Sequence, residues 1–161
     1  MLVGVFSLFK RIFMTTWFIS DLHLHPNRPS TITLACQFLQ TLQQHRPDAL
    51  YILGDLFEYW IGDDMLEHSS GVGYLPIIHE LKALSSCGVP VFFQHGNRDF
   101  LVGEVFLAYT GVNLLPEEVV IDLYGRATLL VHGDTLCSDD IAYQKMRLQL
   151  RNPLWQKQFL L

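Results

Sequence analysis

An apolar run that stops abruptly at a glycine and an aspartate constrains the fold of this sequence most. Ala49–Leu53 carries no charge, and its residues are typical of a strand that is buried on both faces. Gly54 then permits a tight turn, so Asp55 is held at a rigid strand end. Three other apolar segments end in the same way, in aspartate, histidine or asparagine, and they cover residues 17–23, 89–97 and 127–132.

The order of the segments predicts an α/β fold with a parallel sheet. Strands are predicted at 15–20, 49–53 and 89–94, with amphipathic helices between them at 30–44, where Ser30 is the expected N-cap, and at 74–86. Strand, helix, strand units of this length are parallel crossovers. Because parallel strands open onto one crevice at their carboxyl ends, polar side chains should gather there: Asp21, His23, Asp55, Asn97 and His132.

Three details of this prediction concern local structure. If the chain stays extended after the first strand, the two-residue period puts Asp21 and His23 on the same side. Short strands at 112–115, 119–123 and 127–131 are expected to be antiparallel, with a hairpin turn at Gly125. A helix is expected from 139 to about 150.

Three further polar residues are not expected to bind a metal ion directly. Asp63 and Asp64 either form a pair exposed to solvent or hydrogen-bond to residues that bind the metal, and the solvated pair is favoured. His95 is expected to be packed or hydrogen-bonded rather than a ligand.

The composition excludes several classes of protein. The chain has 161 residues, 50% of them hydrophobic, which suits one globular domain with a real core. A formal net charge of -5 gives no basic footprint for nucleic acid. Cys36, Cys87 and Cys137 lack a CxxC spacing, so free thiols in the cytosol are expected.

The first 13 residues are apolar and end in two cations, Lys10 and Arg11. They are too short to span a bilayer and lack the features of a signal peptide. Two interpretations remain: a short interfacial membrane anchor, or an N-terminal extension of a domain whose natural start is Met14. The second is favoured because a strand begins directly after Met14.

The donor types indicate a particular chemistry. Carboxylate, amide and imidazole ligands without thiolate suit manganese or magnesium rather than structural zinc. Asp55 is the natural bridge between two such ions, which together can promote an in-line phosphoryl displacement. Arg98 adds a guanidinium suited to phosphate oxygens.

These residues resemble a known family. In order along the chain, the matching steps of the calcineurin-like metallophosphoesterase signature are Asp21-x-His23, Gly54-Asp55, Gly96-Asn97 and His132-Gly133. Most of that superfamily has a histidine where this chain has Arg98-Asp99. This departure, together with the segments 49–58, 61–64, 95–100 and 132–140, looks closely like the UDP-diacylglucosamine pyrophosphohydrolases of lipid A synthesis.

The resemblance implies an αββα sandwich and a metal-dependent hydrolase. Residues 14–138 would be the N-terminal part of the core, and 139–161 would begin a helical cap. The implied reaction splits UDP-2,3-diacylglucosamine into UMP and 2,3-diacylglucosamine 1-phosphate, with two divalent ions, manganese being expected. The implied location is peripheral, on the cytoplasmic face of the inner membrane.

Matching positions imply roles for individual residues. Asp21, His23, Asp55, Asn97 and His132 would bind the metals. Asp55, Asn97 and Arg98 would be catalytic, and the substrate would contact Asn97, Arg98 and Asp140.

Family sequences continue beyond position 161 with cap helices and a Gly-His-x-His step that supplies two more ligands. We therefore expect an incomplete sandwich, weakened metal binding and little turnover from this chain alone. Two other interpretations stay open. One is a different metallophosphoesterase, a nucleotidase or phosphodiesterase without acyl-chain dependence. The other is an inactive fragment, or a membrane-associated interaction module that uses its apolar ends.

Overall fold

The computed structural model describes residues 14–161. The two interpretations of the first 13 residues, a membrane anchor or an extension before Met14, therefore lie outside the described residues.

A four-stranded parallel sheet organises the chain and confirms the predicted α/β class. Its strands lie in the order β1 (Thr16–Ile19), β2 (Ala49–Leu53), β3 (Val91–Gln94) and β4 (Asn113–Leu114). Phe18, Tyr51 and Phe92 are in register across the first three strands, and their rings stack at 5.1 and 4.7 Å. The helices that connect and follow these strands are α1 (Pro29–His45), α2 (Ser69–Val72), α3 (Leu75–Ser86), α4 (Glu104–Thr110), α5 (Ile141–Leu150) and α6 (Pro153–Phe159).

The direction of β4 corrects the expectation that residues 112–115 are antiparallel. Phe92 and Phe93 of β3 pair in parallel with Asn113 and Leu114. The reason is α4, which returns the chain along the sheet and ends at Gly111, whose φ of 71° is left-handed. The chain thus re-enters the sheet in the direction of β3, as a helical crossover requires.

The predicted hairpin is confirmed and forms a second, two-stranded sheet. Its antiparallel strands are β5 (Glu118–Leu123) and β6 (Arg126–Val131). The turn residues Tyr124 and Gly125 both have positive φ, 54° and 84°, as in the two-residue turns that match strand twist. Gln94 at the end of β3 joins the two sheets, because its buried side-chain amide donates to the carbonyl oxygens of Pro116, Glu117 and Leu130.

Buried apolar side chains from the sheet and from two helices form the core. α1 and α3 contribute Leu39, Leu42, Ile78 and Leu81, which belong to one cluster with Ile52 of β2. α1 begins at Pro29 with Arg28 as its N-cap, so Ser30 lies within the first turn and does not cap it. Within residues 14–161, no helix has both the length and the apolar character that crossing a membrane needs.

Candidate functional site

The segment after β1 carries Asp21 and His23 in left-handed conformations. Their φ values are 55° and 45°, so the expectation of an extended segment is wrong. The backbone instead continues the parallel pairing beyond the strand: Asp21 N donates to Gly54 O at 3.1 Å, and His23 N donates to Asp55 O at 3.0 Å. This pairing compensates the strained backbone and brings both side chains to the end of β2.

Asp55 lies at the centre of the site. It is 2% exposed, and its own φ is 51°. One carboxylate oxygen, Oδ2, is 3.6 Å from His23 Nε2, whereas Oδ1 is 3.8 Å from His132 Nε2. Oδ1 also accepts a hydrogen bond from the backbone N–H of Arg98 at 2.8 Å. The carboxylate therefore faces a histidine on each side.

Two glycines allow the loops to approach so closely. A Cβ on Gly54 would lie 2.6 Å from His132 Nδ1, and its φ of 89° is left-handed. A Cβ on Gly96 would lie 2.1 Å from Asp55 Oδ1. Neither position has room for a side chain, so the spacing of the candidate ligands depends on both glycines.

His132 and Asn97 complete the cluster. His132 Nδ1 lies 2.8 Å from the carbonyl oxygen of Leu53, and Nε2 lies 3.1 Å from Asn97 Oδ1. With Nδ1 donating to Leu53, Nε2 presents a lone pair toward the amide oxygen, so two acceptors face each other. A cation between them would satisfy both.

The arrangement fits a divalent cation. Asp21, Asp55 and His132 offer ligand atoms that all lie within 4.8 Å of one another, and His23 Nε2 lies 4.0 Å from Asp21 Oδ1. Carboxylates so close together repel each other unless a positive charge lies between them. Oxygen and imidazole donors are those that hard or borderline divalent ions prefer. All five predicted ligand residues thus lie at one edge of the sheet.

Asp99 connects two of the ligand-bearing loops, a role that the sequence analysis missed. Its buried carboxylate accepts hydrogen bonds from four backbone N–H groups, those of Asp55, Leu56, Phe57 and Gly96, at 2.8 to 3.3 Å. Burial raises the pKa of Asp99 to about 6, although the backbone donors act in the opposite direction. The available signal was an acid placed directly before the apolar segment 100–102.

Glu58 was also missed. His23 Nδ1 is buried and makes no hydrogen bond to the described residues, while Glu58 Oε2 lies 3.4 Å from it. Glu58 Oε1 lies 3.9 Å from a terminal nitrogen of Arg98, whose side chain is half exposed. Glu58 therefore stands between a candidate metal ligand and the candidate phosphate-binding arginine. The signal was its position, three residues after Asp55.

Asp63 and His95 both form hydrogen bonds inside the protein. Asp63 accepts hydrogen bonds from the Trp60 indole and from the N–H groups of Gly103 and Phe106, at 2.9 to 3.0 Å, so it caps α4 rather than forming a solvated pair. His95 is packed, as predicted: its Nε2 lies 2.8 Å from Val102 O, and burial lowers its pKa.

The predicted substrate contact Asp140 is the N-cap of α5. Its side chain accepts a hydrogen bond from Tyr143 N at 2.9 Å. A groove of about 260 Å³ opens beside Asn97 and Arg98, and Asp140 does not line it. The other lining residues mix charged and apolar character: Phe100, Tyr143, Met146, Arg147, Leu150 and Arg151.

Asp134 lies two residues after His132 and contacts α5. Burial alone would raise the pKa of Asp134, but hydrogen bonds from Tyr143 and Arg147 outweigh it and lower the pKa. Asp134 is consequently an anion that is paired inside the protein.

Residues 14–159 match the family model described as calcineurin-like phosphoesterase. The chain belongs to this family. It is 55% identical over 147 residues to a protein of Xanthomonas oryzae pv. oryzae (strain PXO99A) named UDP-2,3-diacylglucosamine hydrolase. A protein of the same name from Stenotrophomonas maltophilia (strain K279a) is 54% identical over 149 residues. These alignments cover 91% of this chain but only 58% and 57% of the relatives, so the chain spans less than two thirds of their length.

Proposed function

We propose that this chain forms the metal-binding core of a hydrolase that splits the pyrophosphate of UDP-2,3-diacylglucosamine. The products would be UMP and 2,3-diacylglucosamine 1-phosphate, in lipid A synthesis. The convergence of two carboxylates, two imidazoles and an amide oxygen around Asp55 carries this proposal. The names of the relatives that are 54–55% identical support the choice of substrate.

In this proposal the cofactor is a pair of divalent ions, manganese by preference. Asp21, His23, Asp55, Asn97 and His132 would hold them, with Asp55 as the bridge because its two oxygens face different histidines. Bound ions of this kind supply Lewis acidity at a phosphoryl group and lower the pKa of water.

The chain's own residues would orient and stabilise the substrate. The backbone N–H of Arg98 donates to Asp55, which fixes the start of the side chain beside the candidate metal ligands. The half-exposed guanidinium lies 3.9 Å from Glu58. A guanidinium can bind two oxygens of a phosphate and stabilise the charge that develops on them. We assign this role to Arg98, with the Asn97 side chain beside it.

The groove offers a place for the rest of the substrate. It begins at Asn97 and Arg98, where a phosphate would lie, and continues along apolar side chains of Phe100, Met146 and Leu150. A lipid-linked nucleotide sugar carries both kinds of surface. Asp140 lies outside this groove as the N-cap of α5, and in this proposal it would contact a part of the substrate that extends beyond the groove.

We extend the proposal to peripheral contact with the cytoplasmic face of the inner membrane. α5, α6 and the residue after them carry large apolar side chains that are mostly exposed: Leu148, Leu154, Phe159 and Leu160. Exposed apolar groups on neighbouring helices suit a protein that takes its substrate from a lipid surface.

The test is release of UMP from UDP-2,3-diacylglucosamine by the purified chain with Mn²⁺. We expect UMP rather than UDP, no release after chelation, and none from the Asp55→Asn variant. UDP-N-acetylglucosamine serves as the comparison substrate. Equal cleavage of this unacylated compound would favour a general phosphodiesterase, and absence of metal-dependent UMP release would contradict the proposal.

A further inference from the structure

α5 contacts two loops that carry candidate metal ligands, one with Asn97 and the other with His132. One of these loops, residues 95–99, contains Asn97, and the other, residues 132–134, contains His132. Tyr143, Arg147 and Arg151 are spaced four residues apart, so they project from the same side of the helix and its end.

The first contact joins Arg151 to the loop that carries Asn97. Arg151 Nη2 donates a hydrogen bond to Gly96 O at 2.9 Å, immediately before Asn97 in the chain. The guanidinium carbon also lies 5.2 Å from the centroid of the Phe100 ring, within the range of a cation–π contact. Only 13% of the Arg151 side chain is exposed.

The second contact joins Arg147 and Tyr143 to the loop that carries His132. Asp134 Oδ2 accepts hydrogen bonds from Arg147 Nε at 2.7 Å and from the Tyr143 hydroxyl at 2.6 Å. Glu117, in the segment before β5, lies 2.9 Å from Arg147 Nη2 and 3.6 Å from Arg151 Nε. The carboxylate of Glu117 thus connects the two arginines.

We propose that Arg147 and Arg151 are positioning residues that set the separation of Asn97 and His132. The inference rests on the proposed function in one respect, that these two residues serve a metal centre. Each arginine holds one loop, and the loops meet where His132 Nε2 lies 3.1 Å from Asn97 Oδ1. α5 also lines the groove through Met146 and Leu150, so a ligand there contacts the same helix that sets the ligand spacing.

The test compares Arg151→Met and Arg147→Met with Lys145→Met, which removes an equal charge from an exposed position on the same helix. Residue-resolved amide hydrogen exchange is measured without metal. We expect Arg151→Met to speed exchange at Arg98 N, which is bonded to Asp55, and to shift the side-chain amide signal of Asn97. Arg147→Met should instead speed exchange at Leu136 N, which is bonded to Gly133 O.

Three comparisons separate positioning from loss of the fold. Exchange at β2 should remain as in the wild type, and the lysine variants Arg151→Lys and Arg147→Lys should restore part of the protection. Tyr143→Phe removes a single hydroxyl and should loosen only the 132–136 segment. If the methionine variants do not fold, the same exchange measurements on Arg151→Lys, Arg147→Lys and Tyr143→Phe test the proposal. Local exchange equal to that of Lys145→Met, or exchange that rises uniformly along the chain, would overturn the proposal.

A second measurement uses Mn²⁺ alone, followed by electron paramagnetic resonance. Arg151→Met and Arg147→Met should each weaken Mn²⁺ binding about tenfold, the lower end of the effect that supporting residues have on metal sites, and Lys145→Met should not change it. If the wild type bound no Mn²⁺, the proposed function would fail, and the exchange experiment would still decide whether the arginines position the loops.

Discussion

The carboxyl edge of the parallel sheet and the β5–β6 hairpin both bring ligand residues to Asp55, but different kinds of interaction hold them there. At the sheet edge, buried backbone groups do so. The N–H groups of Asp21 and His23 donate to the carbonyl oxygens of Gly54 and Asp55, and those of Asp55 and Gly96 donate to the Asp99 carboxylate. His132, which follows the hairpin, is held by side chains, its own imidazole on Leu53 O and Asp134 on Arg147. Edge residues should therefore tolerate very little change, whereas equivalent changes in the hairpin should be mild.

The largest contrast is expected between two glycines. Gly96→Ala would place a Cβ 2.1 Å from Asp55 Oδ1, so the loops must separate, and we expect a loss of about 3 kcal/mol in unfolding free energy. For Gly125→Ala, the described part of the chain offers no atom within 4 Å of the added Cβ, which leaves only the left-handed backbone, at a cost of about 1 kcal/mol. Urea unfolding measures both, and equal losses would contradict the comparison.

Asp99 and Asp122 give the next contrast, since each accepts backbone hydrogen bonds. Asp99→Asn turns an amide NH₂ toward buried N–H donors and should cost about 2 kcal/mol. Asp122→Asn affects an exposed turn, where Asp122 Oδ1 accepts from Gly125 N, and should change stability by at most about 0.5 kcal/mol. Thermal or urea unfolding measures the stability of both variants. A loss for Asp122→Asn as large as that for Asp99→Asn would contradict the expected difference.

Substitution of Glu58 tests whether residues at the sheet edge contribute to metal affinity as well as to stability. Glu58→Gln leaves the shape of the side chain but weakens its hold on His23 Nδ1, so Mn²⁺ affinity should fall about tenfold, or about 1.4 kcal/mol. Glu118→Gln, an exposed residue of the hairpin, is the matched control and should bind Mn²⁺ as the wild type does. A metal titration in which the two variants behave alike would remove Glu58 from the site.

The smallest contrast compares the same methylene deletion in both sheets. Ile52→Val in β2 opens a small cavity in a fully buried place and should cost about 1 kcal/mol. Ile121→Val in β5 affects a half-exposed side chain and should cost about half as much or less. The two losses can be compared from the midpoints of urea unfolding, provided that the dependence of the unfolding free energy on urea is the same. An equal or larger effect at Ile121 would show that the hairpin is packed as firmly as the parallel sheet.

Much of this architecture follows from local patterns. Apolar runs such as Ala49–Leu53, helical stripes and the Gly125 turn predict the parallel sheet, its crossovers and the hairpin, because each pattern reflects burial or turn geometry within a few residues. The gathering of Asp21, His23, Asp55, Asn97 and His132 follows in turn, since parallel strands end at a common edge.

Other features depend on contacts between distant segments, which a single sequence does not reveal. The left-handed backbone at Asp21 and His23 arises because their N–H groups pair with the chain beyond β2. The roles of Asp99 and Glu58 require the loops to be assembled first. The direction of β4 depends on how α4 crosses the sheet, and a two-residue strand carries too little pattern to indicate it.

The central claim is that the residues around Asp55 form a divalent metal centre. The most direct measurement is a Mn²⁺ titration of the purified chain, followed by electron paramagnetic resonance, beside Asp55→Asn and with circular dichroism to verify folding. We predict saturable binding by the wild type and its loss in a folded Asp55→Asn variant. Equal Mn²⁺ binding by the two folded proteins would contradict the claim.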